Sequence, residues 1–249
     1  MKKIIIIGAG AMGSAFAVPC LENKNDVTLI GTHLEDDLIN SIKSNNNLHS
    51  ALSVKLPSKL KVEKFDKLQA ILNEGVDIIV AGVSSIGIEW FVHQIEKNYK
   101  KKIPIILLTK GLAIEENELM TLSDKIKKLL KEKGHTEINV SAIKGPCLAA
   151  GLANKMRTGT VIANPDIKET ELLKKIISTD YYSTEISDDL TGVELAGAIK
   201  NIYSMLIGAS EGLSNSKASK EIQSKYYLNT SASLIHRSIS EMVEFVSHY

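Results

Sequence analysis

The sequence predicts an α/β fold in which a doubly wound parallel sheet occupies residues 1–187 and a short all-helical domain occupies residues 188–249. In the first part, short β-branched runs alternate with longer runs of helical periodicity. This alternation is typical of parallel βαβ units with helices on both faces of the sheet. A glycine-rich loop separates the first strand-like run from the first helix-like run. After residue 187 only helical periodicity remains.

Six short runs predict the strands, and the alternation predicts that they pair in parallel. They lie at residues 3–7, 27–30, 77–81, 104–109, 139–143 and 160–163. A helix is indicated by apolar residues at helical spacing, which are Leu119, Leu122, Ile126, Leu129 and Leu130. Gly134 then suits the position just beyond a helix end.

Two segments interrupt this regular pattern. Pro19 removes one hydrogen bond from the first helix, so that helix is expected to kink or end near Val18. Residues 44–47, which read SNNN, have the composition of a surface loop.

The boundary between the two parts is predicted at residues 187–189, whose short carboxylates Asp188 and Asp189 suit a helix start. One helix is expected from Leu190 to about Gly212, and a second from about Leu228 onward. The second helix carries an apolar stripe, made of Ile235, Ile239, Met242, Val243 and Val246. An exposed stripe of this kind needs a partner, so either another subunit covers it or further helices are missing and the domain is incomplete.

Composition limits the classes of function. The 249 residues carry 30 basic and 29 acidic side chains, so no overall charge favours nucleic acid or an anionic membrane. The two cysteines, Cys20 and Cys147, fit a reducing compartment, which predicts a cytoplasmic protein. The sequence shows no cysteine or histidine cluster of the kind that binds metal, so no metal site is expected.

The loop Gly8-Ala9-Gly10-Ala11-Met12-Gly13 predicts binding of a dinucleotide, because it follows a strand and opens a helix, as in Rossmann folds. In such loops the first glycine permits a tight turn, the second lets backbone approach a pyrophosphate, and the third lets helix pack on strand. The anion then lies on free N–H groups at the helix N-terminus. A glycine-rich turn without a ligand is the alternative.

Two lysines in apolar surroundings are candidate acid/base groups. Lys110 follows a strand directly, and ligands of doubly wound sheets lie beyond the carboxyl ends of the strands. Lys200 lies in a helix whose nearest charged residue, Glu194, points elsewhere, since six residues turn a helix by about 240°. A buried ammonium without a counter-ion has a lowered pKa, which suits proton transfer. Gly197, one turn earlier, would let a cofactor or substrate approach the helix closely.

The end of the second strand bears on the choice of cofactor. It reads Gly31-Thr32-His33, where a site selective for NAD usually carries an acid for the ribose 2′-hydroxyl. Glu35 and Asp36 come later and open the next helix. Thr32 and His33 could donate to a 2′-phosphate, so we predict NADP rather than NAD.

With these residues identified, the chain resembles the NAD(P)-dependent glycerol-3-phosphate dehydrogenases. The matching strings are GAGAMGSAFA at 8–17, TKGL at 109–112, GPCLA at 145–149 and GVELAGAIKNIY at 192–203. The last string is the most specific. The order and spacing of the four also resemble the family.

The resemblance implies hydride transfer between NAD(P)H and dihydroxyacetone phosphate, in glycerophospholipid metabolism. A homodimer is predicted because the short helical domain could be completed by a second subunit. The resemblance also implies that Lys200 is the general acid, that Lys110 binds the anionic substrate beside the cofactor, and that Asn201 hydrogen-bonds the substrate. The implied cofactor-binding residues are Gly8, Gly10, Ala11, Met12, Gly13, Thr32, His33, Lys110 and Ala149.

Three departures from the family pattern stand out. Gly151 replaces a glutamate of the family's GPSxAxEV segment, and residues 214–225 form a longer polar stretch than in most relatives. The chain also ends before the family's GxGDL…T…RN segment. That segment would supply an aspartate for the catalytic lysine, and an arginine and an asparagine for the phosphate. Arg157 and Arg237, the only arginines here, lie in no matching motif.

Two other functions remain open from the sequence. One is a non-catalytic module that binds NAD(P), and the other is a reductase of the same architecture that acts on a larger oxo acid. The two lysines favour an enzyme over a binding module. The string VELAGAIKN favours a small phosphorylated ketone over an oxo acid.

Overall fold

The computed structural model describes residues 1–100, 102–214 and 223–249. Twelve strands are described: β1 Lys3–Ile7, β2 Asp26–Ile30, β3 Leu48–His49, β4 Val54–Lys55, β5 Lys61–Glu63, β6 Ile78–Ala81, β7 Pro104–Leu107, β8 Leu112–Glu115, β9 Glu118–Thr121, β10 Asn139–Lys144, β11 Thr158–Ala163 and β12 Tyr182–Ser187. Nine helices are described: α1 Ala11–Glu22, α2 Asp36–Ser44, α3 Leu68–Glu74, α4 Ile88–Ile95, α5 Leu122–Glu132, α6 Ala149–Ala153, α7 Ile167–Ile177, α8 Leu190–Ser214 and α9 Gln223–Ser247.

The main sheet has eight strands in the order β12-β11-β10-β7-β6-β1-β2-β5. From β1 the order runs to β2 and β5 on one side and to β6, β7 and β10 on the other. This is the doubly wound order, with its switch point between β1 and β6. Because the six strands from β10 to β5 are parallel, their carboxyl ends meet at one edge of the sheet.

Both faces of this sheet are covered, which explains why its strands are apolar throughout. In β1, Ile4 and Ile6 belong to one apolar core, while Ile5 and Ile7 belong to the core on the opposite face. All four are at most 2% exposed. Burying an isoleucine in this way stabilises a fold by roughly 2 kcal/mol, so β1 contributes to the apolar cores on both faces of the sheet.

The prediction that all strands are parallel is wrong for the last part of the sheet. β11 pairs antiparallel with β10, and β12 pairs parallel with β11, so both run against the other six. The helix between β10 and β11, α6, has only five residues. The whole connection has thirteen residues, 145–157, about the minimum for a parallel crossover, but a five-residue helix spans only about 7.5 Å and does not run back along β10, which is about 20 Å long.

Two predicted details of the helices are also wrong. Of the two outcomes predicted for α1, an end near Val18 is wrong, because the helix continues to Glu22 through the buried Pro19, while a kink there stays a prediction. The turn after the proline is held by Asn23, whose main-chain N–H and side-chain amide both donate to the Pro19 carbonyl. Leu119, assigned to the helix before Gly134, lies instead in the β8–β9 hairpin.

Other local predictions are confirmed. Gly134 ends α5 with a φ of 87°, a left-handed conformation that glycine adopts freely. Residues 45–47 form a turn after α2, in which Asn46 and Asn47 have positive φ. Asp189 caps α8, because its Oδ1 accepts from Gly192 N at 2.7 Å. The division into domains at residue 187 stays a prediction.

The helical part consists of α8 and α9, which pack against each other. The start of α8 also packs on the sheet, where Leu190 contacts Ala142 and Ala163. Within the stripe predicted on α9, Ile235, Ile239 and Val243 are 45%, 59% and 62% exposed. No helix among the described residues is long and apolar enough to cross a membrane. In the long polar stretch, residues 215–222 lie outside the described residues.

Candidate active site

The glycine-rich loop at the end of β1 is packed too tightly for larger residues at two positions. A Cβ on Gly13 would lie 2.2 Å from the Gly8 carbonyl oxygen, so only glycine lets α1 pack on β1. Gly8 has a φ of 111°, and a Cβ there would lie 2.6 Å from the Gly82 oxygen at the end of β6. Gly10 differs, since the nearest heavy atom to its Cβ position is 3.8 Å away. The loop is therefore closely packed at Gly8 and Gly13 and open beside Gly10.

The open side of this loop suits an anion. Gly10 is the N-cap of α1 and offers no side-chain cap, and the first turn contains no acidic residue. The first N–H groups of a helix have no partners within the helix, so those of Ala11, Met12 and Gly13 can bind an anion. The space above Gly10 and these N–H groups together fit the pyrophosphate of a dinucleotide.

An acidic side chain lies at the end of β2, contrary to the sequence-based expectation. Glu35 turns back from the start of α2, and its Oε2 accepts from Thr32 N at 2.7 Å and from Ala9 N at 3.0 Å. The carboxylate therefore bridges the ends of β1 and β2. Because an acid does lie at the end of β2, this position no longer favours NADP over NAD.

His33 is exposed, but its ring packs against two aromatic side chains. Its centroid lies 5.2 Å from that of Trp90 on α4 and 6.2 Å from that of Phe65 after β5. Trp90 and Phe65 were not predicted from the sequence, because they are far from His33 along the chain. The three rings form an aromatic wall beside the end of β2.

Lys110 lies in a fixed turn after β7. The preceding Thr109 is buried, and its Oγ1 donates to the Val83 carbonyl at 2.6 Å. The following Gly111 has a φ of 136°, which reverses the chain into β8. The half-buried Lys110 side chain is thus presented at the carboxyl edge of the sheet, as predicted from the sequence.

Lys200 meets the same edge from α8. It is half-buried, and its Nζ donates to the Gly145 carbonyl at 2.7 Å. Burial lowers the pKa of Lys200, and the adjacent Lys110 ammonium lowers it further. Within residues 1–100, 102–214 and 223–249, no carboxylate lies within 4.0 Å of its Nζ. The structure thus brings together the two lysines that the sequence singled out.

The GPCLA segment, residues 145–149, follows β10 and lies beside the two lysines. A Cβ on Gly145 would lie 2.8 Å from the Gly159 oxygen on β11, so the chain can only pass there as glycine. Burial raises the pKa of the Cys147 thiol, although the Lys110 and Lys200 ammonium groups act to lower it. Ala149 begins α6 and packs against the apolar core. Asn201 is exposed on α8, about 100° around the helix from Lys200.

A third lysine, Lys144, was not identified from the sequence. It ends β10 and is only 3% exposed, and its Nζ donates to the Thr109 carbonyl. Burial lowers its pKa to about 8, with Lys110 adding to this effect and Glu194 opposing it. Its position directly after an apolar strand, like that of Lys110, was the signal that could have revealed it.

Gly197 makes room for Lys144 and not for a ligand, which corrects the sequence-based interpretation. A Cβ on Gly197 would lie 3.0 Å from Cγ and 3.1 Å from Cδ of Lys144. Glu194 is fully buried, and its Oε2 accepts from Ser123 N at 3.2 Å in the first turn of α5. Burial raises the pKa of Glu194, while Lys144 and Ser123 oppose that rise.

The described residues contain no group of three or more His, Cys, Asp or Glu side chains that could hold a metal ion. Along the carboxyl edge of the sheet, the chain therefore offers a loop for a dinucleotide and, two strands away, a pair of facing lysines. Hydride and proton transfer next to an anionic substrate is the chemistry that this arrangement supports.

Comparisons with known proteins agree with this arrangement. The model of the NAD-dependent glycerol-3-phosphate dehydrogenase N-terminus matches residues 3–170, and the model of the C-terminus matches residues 189–249. The NADP(+)-dependent glycerol-3-phosphate dehydrogenase of Archaeoglobus fulgidus is 31% identical over 245 residues, which cover 98% of this chain and 69% of the relative. A glycerol-3-phosphate dehydrogenase (NAD(P)+) of Mesoplasma florum is 30% identical over 250 residues, with 100% and 69% covered.

A solved structure is similar over the same extent. The crystal structure of a glycerol-3-phosphate dehydrogenase from Coxiella burnetii has a TM-score of 0.79 at 25% identity, and the match covers 99% of this chain and 69% of that one. The predicted fold class, a Rossmann sheet followed by a helical domain, is confirmed.

Proposed function

The chain belongs to the NAD-dependent glycerol-3-phosphate dehydrogenase family, and from this premise we propose that it transfers hydride between NAD(P)H and dihydroxyacetone phosphate. The family resemblance predicted from the sequence is confirmed by both family models. The assignment of particular site residues remains a proposal. One observation carries it: Lys110 from β7 and Lys200 from α8 converge beyond the carboxyl edge of the sheet that bears the glycine-rich loop.

The two lysines have separate parts in the proposed reaction. When bound, the nicotinamide supplies or accepts the hydride. Lys200 donates a proton from its ammonium to the oxygen that develops negative charge as the carbonyl is reduced, and it takes the proton back in the reverse direction. Lys110 holds the anionic substrate by charge and favours the developing alkoxide. The lowered pKa of Lys200 eases the release of its proton, and its bond to Gly145 fixes the direction of the ammonium.

The glycine-rich loop would hold the dinucleotide through the N–H groups at the start of α1. Glu35 lies at the end of β2, where an acid hydrogen-bonds a ribose 2′-hydroxyl in NAD-selective sites and repels a 2′-phosphate. Thr32 and His33 follow β2 and Ala149 begins α6, and all three remain proposed cofactor contacts. The name of the Archaeoglobus fulgidus relative specifies NADP(+), so both cofactors need to be compared.

The experiment is to follow oxidation of NADPH and of NADH by the purified chain, with and without dihydroxyacetone phosphate. Lys200→Met should lower kcat by at least about a hundredfold, as expected for loss of a general acid, with the cofactor Kd within a few-fold of wild type. Lys174→Met, an exposed lysine on α7, is the matched control and should be silent. Cofactor binding without turnover by the wild type would instead mean a binding module.

Lys110→Ala separates the second lysine from the first. It should mainly raise KM for dihydroxyacetone phosphate, because it removes a charge that binds the substrate. An unchanged kcat/KM would remove Lys110 from the site. Asn201 is tested in the same assay by Asn201→Ala, which should also raise KM if its amide contacts the substrate.

We also propose that the chain works as a homodimer in the cytoplasm, supplying glycerol 3-phosphate for glycerophospholipids. The exposed Ile235, Ile239 and Val243 support an apolar interface on α9, and the two buried free cysteines suit a reducing compartment. Light scattering of wild type and Ile239→Lys tests the dimer. The variant should be monomeric, whereas Leu172→Lys on α7 should leave the mass unchanged.

A further inference from the structure

Lys144 is a buried charged group for which the proposed reaction has no part. It ends β10 with 3% of its surface exposed, between the turn after β7 and helix α8. Burying an ammonium is costly, and hydrogen bonds and opposite charge must compensate for the lost hydration. Among the described residues, the Thr109 carbonyl and the nearby Glu194 carboxylate provide that compensation.

The hydrogen bond to Thr109 fixes the peptide that leads into Lys110. Thr109 is held at two points: its Oγ1 donates to Val83, and its carbonyl accepts from Lys144. The next residue is Lys110, and Gly111 then turns the chain away with its positive φ. The direction in which the Lys110 side chain leaves the main chain therefore depends on the orientation of the Thr109–Lys110 peptide.

The surroundings of Lys144 are shaped to hold it in this position. The absence of a side chain on Gly197 leaves a slot on α8 for the Lys144 stem, with Cγ 3.0 Å from the position that a Cβ would take. The Lys144 carbonyl accepts from Thr160 Oγ1 at 2.7 Å, which anchors its main chain to β11. The side-chain stem, the main chain and the ammonium of Lys144 are therefore all held in place behind the turn at residues 109–111.

We infer that Lys144 is a positioning residue, which orients the Thr109–Lys110 peptide through its bond to the Thr109 carbonyl and so presents Lys110 to the anionic substrate. This inference rests on the proposed function of Lys110. Lys144 itself does not contact the substrate, because its ammonium is buried and directed at the main chain. The expected signature of its loss is weaker substrate binding with unchanged cofactor binding.

Glu194 has to be considered in the choice of variants. Lys144→Met alone leaves this buried carboxylate without its nearby cation, and a stranded buried charge can unfold a protein. The double variant Lys144→Met/Glu194→Gln removes both charges. A glutamine can still accept from Ser123 N at the start of α5. Glu194→Gln alone is the matched control, because it keeps Lys144 and its bond to Thr109.

The experiment measures binding of dihydroxyacetone phosphate by calorimetry in the presence of oxidised cofactor, a combination in which no hydride is available. Relative to Glu194→Gln, the double variant should bind this ligand about tenfold more weakly, the effect of one charge-assisted hydrogen bond. Its Kd for the cofactor alone and its unfolding temperature should stay close to those of the control. The Lys110 amide ¹⁵N resonance should shift, because the carbonyl of its peptide loses a hydrogen bond.

Three results would overturn the inference. One is an unchanged Kd for dihydroxyacetone phosphate in the double variant, and another is a Lys110 amide resonance that does not move. The third is an equal loss of cofactor and substrate binding, which would make Lys144 a general structural residue. If the wild type binds cofactor but no dihydroxyacetone phosphate, the proposed function itself fails. The resonance of Lys110 still reports separately on the contact between Lys144 and Thr109.

Discussion

The buried Lys144 ammonium should make the stability of the protein depend on pH in a calculable direction. Burial lowers the pKa of this group from its ordinary value of 10.5 to about 8. The folded protein therefore binds the proton less tightly than the unfolded chain, by roughly 3 kcal/mol at 1.36 kcal/mol per pKa unit. Between pH 8 and 10.5, the unfolded chain holds more protons at this site, so stability rises with pH.

The rise can be isolated from the other titrating groups by comparison with a variant. From about pH 7 to about pH 10, Lys144 alone should add about 2 kcal/mol to the free energy of unfolding. Urea unfolding of Glu194→Gln and of Lys144→Met/Glu194→Gln at several pH values gives this as the change in their difference, because neither chain keeps the buried Glu194 carboxylate and the remaining lysines and tyrosines are shared. Lys110 and Glu194 are the charged groups that face Lys144.

Glu194→Gln is the control in this comparison, because it keeps Lys144 while removing the carboxylate that Lys144→Met alone would leave unpaired. The rise in this background should be at least as steep as in the wild type, because Glu194 opposes the lowering of the Lys144 pKa. A difference that stays flat to within about 0.5 kcal/mol would mean that Lys144 is solvated or paired more fully than the structure shows. A difference that falls with pH would refute the reasoning outright.

Three further predictions concern other parts of the chain. Gly13→Ala should lower the free energy of unfolding in urea by about 3 kcal/mol, because its Cβ would lie 2.2 Å from the Gly8 oxygen. Gly208→Ala on α8 is the control and should not destabilise, because nothing lies within 4 Å of its Cβ position. Equal effects of the two substitutions would contradict the packing argument. Glu35→Gln should improve the affinity for NADPH relative to NADH by at least about threefold in fluorescence titrations, because it removes the charge that repels a 2′-phosphate. An unchanged ratio of the two affinities would mean that the ribose does not lie beside Glu35. Thr121→Ala should cost about 1 kcal/mol in thermal or urea unfolding by removing the N-cap of α5, and no loss would show that the cap is dispensable.

The parts of the fold that were predicted from the sequence are those in which one local pattern has one structural meaning. The isoleucines of β1 alternate between two buried faces, so their run indicates a central strand without further information. The glycine-rich loop was equally readable, because Gly8 and Gly13 meet requirements set by their immediate neighbours. Asp189 likewise predicted the start of α8, because its side chain accepts a hydrogen bond from Gly192, only three residues away.

The features that were missed depend on contacts between distant segments. β12 at residues 182–187 was not predicted, because its sequence YSTEIS contains only two apolar residues, Tyr182 and Ile186. The antiparallel direction of β11 follows from the short helix in its connection to β10 and not from its own residues. The burial of Lys144 against Gly197 could not be predicted, because the two residues are 53 positions apart in the sequence and only the fold brings them into contact. Glu35 was visible in the sequence, but its fold back onto Ala9 was not.

The bridge that Glu35 makes between Ala9 and Thr32 also bears on how fast a dinucleotide is captured. Both bonds form within the chain itself, so the loop and the end of β2 are already joined before any ligand arrives. No ordering of these two segments has to precede the encounter, and the conformational entropy of fixing them has been lost during folding. Association should therefore follow a single exponential whose rate rises linearly with cofactor concentration, without a slow phase that saturates.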